Sequence, residues 1–558
     1  MALREVCRAF RDNRISRELA MVLTRCTLLV ANIKLPINAS SKEAFSVALE
    51  KLKKRGIKFS DPSCRIFRRS VDARKRTDVY FVYSVAVTAS FSDLTTKMPT
   101  DITVLEEARP QVTRGNGLLT ARPMIVGMGP CGLFAALLLA REGYKPIIID
   151  RGGSVKDRTH ARLIFNSDRI LNPESNVQFG AGGAGTFSDG KLVTRINDPL
   201  SAYVLDTLVD FGASESIKYI AKPHVGTDVL AEVVDRILVE IESLGGEVLY
   251  NTKLIDFTAN SGKITSVKTT SGDFEVGALI LAIGHSARDT YSLLLSKNLS
   301  IEAKPFSVGM RIEHLAEDID KALYSDFAGH DALGHAEYNL SHDTKNRGVY
   351  TFCMCPGGEV VASSSEEGGL VVNGMSNSAR DGVNSNSAVV CSIFREDYGA
   401  TPEKAINFQR EIENKAFVAG RKPYFAPIIT VGDFLSDKLS NEPSRILPTY
   451  MGGKSITLAR PETYLPNFVC QSIKGALVSF DKRIPGFASA DAILTGAETR
   501  TSAPVRILRD STTHLAMGYT NLYPAGEGAG YAGGITSAAI DGLKTALSVI
   551  AKYKPLDG

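Results

Sequence analysis

No stretch of eighteen consecutive apolar residues occurs in this chain, so no membrane-spanning helix is expected. Cysteine is scarce and scattered. Of eight, only Cys353 and Cys355 lie close together, and no paired C-x-x-C supplies zinc-ligand spacing. No metal site is therefore expected, a chain of this size needs no disulfide framework, and a reducing compartment is the default. A complete phosphate loop is also missing. Gly185 to Lys191 follows that pattern, but Leu192 stands where Ser or Thr must hold Mg²⁺ and no strand leads in, which excludes a nucleotide triphosphatase. The basic stretch within residues 51–76 is accompanied by no aromatic platform and no RNA-binding motif.

What is present is an ordinary globular composition, 44% hydrophobic and 23% charged over 558 residues, enough for more than one domain. The net charge of +4 hides an asymmetry: residues 1–120 hold 22 Lys and Arg against 12 Asp and Glu. That basic surface is read as the solvated face of a small domain, with an RNA or acidic-partner surface as the alternative. Residues 1–27 form an extension rich in arginine (Arg4, Arg8, Arg11, Arg14, Arg17, Arg25), as in organelle import segments, yet Glu5, Asp12 and Glu18 interleave. Arg25 interrupts the apolar stretch that a secretory signal would need. The expected location is cytoplasmic or organellar, mitochondrion or plastid, and not secreted.

Residues 28–105 read as a small basic α+β domain, with strands at Leu28–Lys34 and Val79–Ala89 and an amphipathic helix at Lys42–Arg55. After a polar linker the organising stretch begins. Met124 to Val126 suit a buried parallel strand, Gly127, Gly129 and Gly132 give G-x-G-x-x-G, a helix-length apolar segment follows, and Pro146–Ile149 ends in Asp150. The first glycine permits the tight turn, the second lets backbone approach a pyrophosphate, and the third lets helix pack on strand. Pro130 opens the helix, whose free N–H groups and positive dipole end suit phosphates. Asp150, followed by Arg151, is placed to accept hydrogen bonds from an adenosine ribose.

The same glycine pattern at Gly180, Gly182 and Gly185, and at Gly528, Gly530 and Gly533, lacks the strand–turn–helix–strand context. Downstream, helices are expected near 201–211 and 228–243, a meander of strands at 246–250, 254–258 and 264–269, and a buried strand at 277–284. The dinucleotide-binding part is thus expected over 122–303, a β-rich α+β cap and substrate domain over 304–493, and the rest of the dinucleotide-binding domain over 494–558. The last part carries a strand, Gly526-Glu527, a glycine-rich turn and a helix from about Ile535. An enzyme using only NAD needs no such second unit, but a flavin does, because its ribityl chain and ring extend beyond the pyrophosphate. Glu527 can accept from ribityl or ribose hydroxyls, and the N–H groups of Gly534 and Ile535 can face the pyrimidine edge. The fold class expected is α/β, a Rossmann-type FAD-binding domain with an inserted cap and a small N-terminal α+β domain.

Gly127-Met-Gly-Pro-Cys-Gly132, the loop Asn172 to Lys191, Gly284-His-Ser-Ala-Arg-Asp289, Phe352-Cys-Met-Cys-Pro-Gly-Gly358, Thr499-Arg-Thr-Ser502 and Pro524 to Gly534 together resemble a widespread family of uncharacterised FAD-dependent dehydrogenases. The resemblance runs from about residue 28 to the end. It implies a glutathione-reductase-like FAD fold whose second dinucleotide domain is replaced by a β-rich cap. It departs at Asp150, where the family commonly has Glu. The expected cofactor contacts are Gly127, Gly129, Pro130, Gly132, Asp150, Arg151, Gly182, Gly183, Gly185, Ala282, Gly284, Gly526, Glu527, Gly534 and Ile535.

The expected function is an FAD-dependent oxidoreductase of unidentified substrate, with NAD(P)H as a transient donor docking without a Rossmann domain of its own. A flavoprotein acting on RNA and a non-catalytic FAD-binding protein are the alternatives. Catalytic candidates are Lys191, as a charge beside the flavin or substrate or else an ion-pair partner of Asp189, and His285, as an acid–base or else a hydrogen-bonded loop residue. Arg500 and Arg506 bind an anion or form structural salt bridges. Cys353 and Cys355 share one face of a strand, about 6.5 Å apart, near the upper limit for a disulfide unless the chain bends.

Overall fold

The computed structural model describes residues 24–556 apart from residues 76, 93–97, 106–108, 195, 197, 344–346 and 441. Most of the arginine-rich extension, residues 1–23, lies outside the described residues. The chain divides into two compact units, the first taking in residues up to 108 with 218–223 and 324–334, the second the remainder.

In the first unit, an antiparallel sheet has the order Phe59–Asp72, Tyr80–Phe91, Thr24–Pro36, Ile102–Val104. The helix Ser41–Lys54 turns Ala44, Ala48 and Leu52 inward, one residue per turn, and joins Leu28, Val30, Val85 and Val87 of the sheet in a single apolar core. At its start the Glu43 carboxylate accepts the Ser40 backbone N–H at 2.9 Å. Arg65, Arg68 and Arg69 fall on Phe59–Asp72, an edge strand that carries Pro62 and two register shifts. Sequence reasoning missed this strand.

The second unit is built on a five-stranded, wholly parallel sheet in the order Leu522–Pro524, Ala278–Leu281, Pro123–Val126, Ile147–Ile149, Glu247–Leu249. Both faces are covered, which explains its continuous apolar strands. Ile125, Ile148 and Ile280 face a helical layer containing Pro130–Arg141, Thr227–Ser243 and Ile535–Lys552. Met124, Val126, Ile149 and Leu281 face the other way, onto a three-stranded antiparallel meander of Leu254–Asn260, Lys263–Thr269 and Gly272–Glu275. The meander expected from sequence is thus corrected by one strand. Glu247–Leu249 pairs with Ile147–Ile149 in the parallel sheet, and three residues are too few for alternation to distinguish the two settings.

Residues Cys131 to Ala140 are all buried, because their helix lies between the sheet and the final helix. The crossing is close: a Cβ on Gly542 would meet the Cys131 carbonyl oxygen at 2.1 Å.

A seven-stranded mixed sheet follows in the order Ser341–Asp343, Gly348–Cys355, Asn384–Ile393, Phe306–Leu315, Ile493–Glu498, Ala426–Thr430, Ile456–Leu458. Its two central strands are ten residues each and almost wholly buried. The 493 boundary expected for the cap falls at the first residue of a strand of this sheet. Five of its six strand pairings are antiparallel, and only Ala426–Thr430 and Ile456–Leu458 pair in parallel. The sheet holds no second strand–glycine turn–helix unit among the described residues.

Candidate cofactor and redox site

Three glycine-rich segments meet at the carboxyl ends of the parallel strands. The first is the turn at Gly127, where φ is +109° and a Cβ would lie 2.2 Å from the Ala282 carbonyl oxygen. A Cβ on Gly132 would fall 1.8 Å from the Gly127 carbonyl oxygen, so only glycine lets the helix beginning at Pro130 seat against the turn. Gly129 is different: the nearest atom to a Cβ there is the Gly183 Cα at 3.9 Å.

The second segment, 172–191, folds across this turn. Gly182 donates to the Met128 carbonyl at 2.8 Å, and a Cβ on Gly183 would come within 2.9 Å of the Gly129 Cα. A Cβ on Gly185 would meet the Ile535 side chain at 3.2 Å, which joins this loop to the third segment. There Gly526 donates to the Asp541 carboxylate at 2.7 Å, and a Cβ on Gly528 would strike the backbone of Gly284. Gly534, with φ +138° and no atom within 4 Å of a Cβ, opens the helix at Ile535. Two helix N-termini and an open surface at Gly129 therefore share one cradle, and this fits a bound diphosphate.

Asp150 has a task that sequence reasoning did not foresee. It is buried, and its carboxylate accepts the N–H groups of Met128 (2.8 Å), Gly152 (2.9 Å) and Gly180 (2.8 Å), which fixes the first turn and the second loop to one anchor. Arg158 was missed altogether. Its fully buried guanidinium donates to the carbonyls of Asn176 (3.0 Å), Val177 (2.9 Å), Gly183 (3.0 Å) and Ala181, all in the glycine-rich loop. Burial pulls it down to about 10, with the Asp150 charge opposing, so it remains a cation at neutral pH beneath the cradle. Arg151, expected at the cofactor, is ion-paired with Glu174 at 2.6 Å and with Asp289, and lies over the Phe179 ring.

His285 and Glu527 come together at the ends of two neighbouring strands, Nδ1 to Oε1 at 3.7 Å. Burial pushes His285 down to about 3, and the charges of Arg500 and Arg288 push the same way. Its Nε2 is buried with no partner in the protein. Burial pushes Glu527 up to about 7, with Lys304 offsetting part of the rise. Tyr291 donates to the Gly528 carbonyl at 2.7 Å and holds the two turns in register.

Lys191 lies 2.9 Å from Asp189, which also takes Arg380 at 2.6 Å, so the ion-pair alternative describes its contact. Arg500 likewise binds Glu413, jointly with Arg288, in a fully buried network. Arg506 lies 3.8 Å from Glu302 and over the Tyr531 ring. Cys353 and Cys355 do not share one regular strand face: Cys353 has φ +46° and the register shifts between Phe352 and Cys355. No group of metal-ligating side chains occurs among the described residues, and no helix there is long and apolar enough to cross a membrane.

Residues 305–501 match the model of an FAD-dependent protein, C-terminal domain-like, and residues 28–88 match a domain of unknown function. An uncharacterised protein of Clostridium beijerinckii is 47% identical over 494 residues, 88% of this chain and 92% of that protein. The chain belongs to this family of uncharacterised FAD-dependent proteins. The chain's match to Protein FixC of Salmonella typhi is more distant and partial, 27% identity over 34% of this chain and 42% of FixC. Among solved structures, glycine oxidase from Bacillus cereus aligns at 10% identity and a TM-score of 0.34, over 79% of this chain and 100% of the oxidase. L-Amino acid deaminase from Proteus vulgaris aligns at 10% and 0.35, over 80% and 94%. At such scores the likenesses assign no activity.

Proposed function

We propose that this protein is an FAD-dependent oxidoreductase that binds its cofactor non-covalently in the three-segment cradle. The observation that carries the reading is the meeting of the Gly129, Gly183 and Gly534 segments between two helix N-termini, with open space at Gly129 and Gly534. Gly127, Gly129, Pro130 and Gly132 would hold the diphosphate, with the buried Arg158 charge behind the loop that closes over it. Asp150 retains acceptor capacity for a ribose hydroxyl beyond its three N–H donors. Gly182, Gly183, Gly185, Ala282 and Gly284 would line the middle of the cofactor, and Gly526, Glu527, Gly534 and Ile535 its far end. FAD supplies two-electron transfer when bound. The chain's own contribution nearby is a proton that Glu527 holds near neutral pH, beside an imidazole that stays neutral. Asp189 and Arg380 keep Lys191 in place at the end of the loop.

NAD(P)H, as donor, docks transiently in the cap, because no second dinucleotide-binding unit occurs among the described residues. Purified protein is expected to be yellow and to release free FAD on acid precipitation. Protein that takes up no FAD refutes the reading. Stopped-flow reduction by NADH or NADPH should require high donor concentrations, and saturation at low micromolar donor would overturn transient docking.

A further inference from the structure

The family's Phe352-Cys-Met-Cys-Pro stretch has no part in the cradle, yet the structure builds a site around it. Three chain steps from Phe352 to Cys355 oppose two on the neighbouring strand, from Ala388 to Asn386, so the chain is compressed where the cysteines lie. Beneath them the buried Arg311 donates to the Cys353 carbonyl at 3.2 and 3.3 Å and approaches the Cys355 Sγ at 3.8 Å. Its Nε is paired with Glu498 at 3.0 Å. Gly374 leaves the room for this guanidinium, since a Cβ there would lie 1.7 Å from Arg311 Nη1. Cys355 is buried, whereas Cys353 is half-buried beside the exposed Phe352.

We infer that Cys353 and Cys355 are a redox-active dithiol that reduces disulfides by exchange, with Cys353 as the attacking sulfur and Cys355 as the resolving one. This goes beyond the flavin reading and does not rest on it. Cys355 Sγ donates to the Cys353 carbonyl at 3.3 Å, and the neighbouring Cys355 thiol, helped by the Arg311 and Lys191 charges against burial and Asp189, pulls the Cys353 thiol down. The same contact and burial push Cys355 well up. The other charged groups acting nearby are Glu498, paired with Arg311, Arg380, paired with Asp189, and Glu337, paired with Arg380. The pair thus gives up its first proton from Cys353 rather than from Cys355.

In the reaction, the Cys353 thiolate attacks one sulfur of an external disulfide. That S–S bond breaks, and the first thiolate leaves and takes a proton from water. Cys355 then gives up its proton and attacks the Cys353 sulfur. The mixed disulfide breaks, the second thiolate leaves with that proton, and two electrons have passed from the pair to the substrate.

Full-length protein, fully reduced and then exposed to glutathione disulfide, tests this. Wild type should lose two hydrogens in mass, located by non-reducing peptide mapping to a Cys353–Cys355 link. Cys355→Ser should instead trap one glutathione on Cys353, and Cys353→Ser should do neither. Iodoacetamide at pH 5.5 should alkylate Cys353 faster than Cys64, because thiolate fraction outweighs the lower nucleophilicity of a low-pKa thiol. Glutathione adducts without the link in wild type, or alkylation of Cys353 no faster than Cys64, overturns the proposal. Both readouts apply even if one variant fails to fold.

Discussion

Glu413→Gln is the substitution from which the structure demands most. The Glu413 side chain is fully buried and accepts five hydrogen bonds: from Arg288 at 2.7 and 2.8 Å, from Arg500 at 2.9 and 3.1 Å, and from the Thr499 hydroxyl at 2.7 Å. These donors come from the helix Arg288–Ser296, which follows the parallel sheet, and from residues just after the strand Ile493–Glu498 of the cap sheet. Burial alone would raise the carboxyl's pKa, but the two guanidinium groups overcome this and hold it below the usual carboxylate range. Glutamine keeps the shape, yet removes the charge and turns an NH₂ toward guanidinium N–H groups. Breaking a buried pair in this way costs about 3–5 kcal/mol. At roughly 2 °C per kcal/mol for a large domain, Tm should fall by roughly 6–10 °C. Glu366→Gln is the control, because that carboxylate is 30% exposed and its pairs with Arg288 and Arg410 are partly screened. The sign with pH follows from the depressed pKa. The stabilisation is complete above about pH 4.5 and is lost as pH falls toward the folded pKa, so wild type and variant should converge in acid. Differential scanning fluorimetry across pH 3–8 reads both effects. A Gln variant that melts within 1 °C of wild type at pH 7 refutes the reasoning.

Gly129→Asp should fold normally, since its Cβ has open space, yet lose bound FAD because a carboxylate would face the diphosphate; far-UV circular dichroism and the flavin-to-protein absorbance ratio check both halves. Gly132→Ala should do the reverse and lower Tm sharply, because its Cβ has no room against the Gly127 carbonyl. In cofactor-free protein, the raised Glu527 pKa makes the folded state bind the extra proton, so its contribution to stability falls as pH rises from about 4.5 to about 7. The lowered His285 pKa contributes the opposite slope between about 3 and 6.5. Glu527→Gln should therefore leave a Tm profile that rises with pH over that lower range, and an unchanged profile in thermal melts would show that Glu527 is not the titrating group.

The parallel sheet was legible because its strands are short apolar runs bounded by glycine turns, and the Gly127–Asp150 unit stands in the structure as its residue spacing required. The helix Val155–Asp168 was not legible. Its buried positions are Val155, Arg158 and Phe165, so one of the three inward residues carries a charge and the apolar period disappears. The strand Phe59–Asp72 was hidden for a related reason: at a sheet edge only Asp72 is fully buried, and no alternating pattern survives. The Arg288–Glu413–Arg500 network joins residues 87 to 125 positions apart, a distance that no local pattern reports. The anchoring role of Asp150 was concealed because a ribose ligand and three backbone donors require the same carboxylate.

The edge strand Phe59–Asp72 has a consequence for solubility. An open strand edge offers its backbone to any other chain, and natural sheets discourage that with charge, proline and irregularity. This strand has all three, in Arg65, Arg68 and Arg69, in Pro62, and in register shifts at Ser60–Ser63 and Ile66–Arg68. At Arg69 the backbone is also occupied from within the unit, by bonds to Tyr219 (2.6 Å) and from Ala221 (2.8 Å). The arginines that resemble a nucleic-acid footprint put charge on this open edge, which disfavours pairing with a second copy. Replacing Arg65 and Arg68 with threonine should produce light scattering that grows with concentration, and a variant that stays monodisperse would return the basic stretch to the search for a ligand.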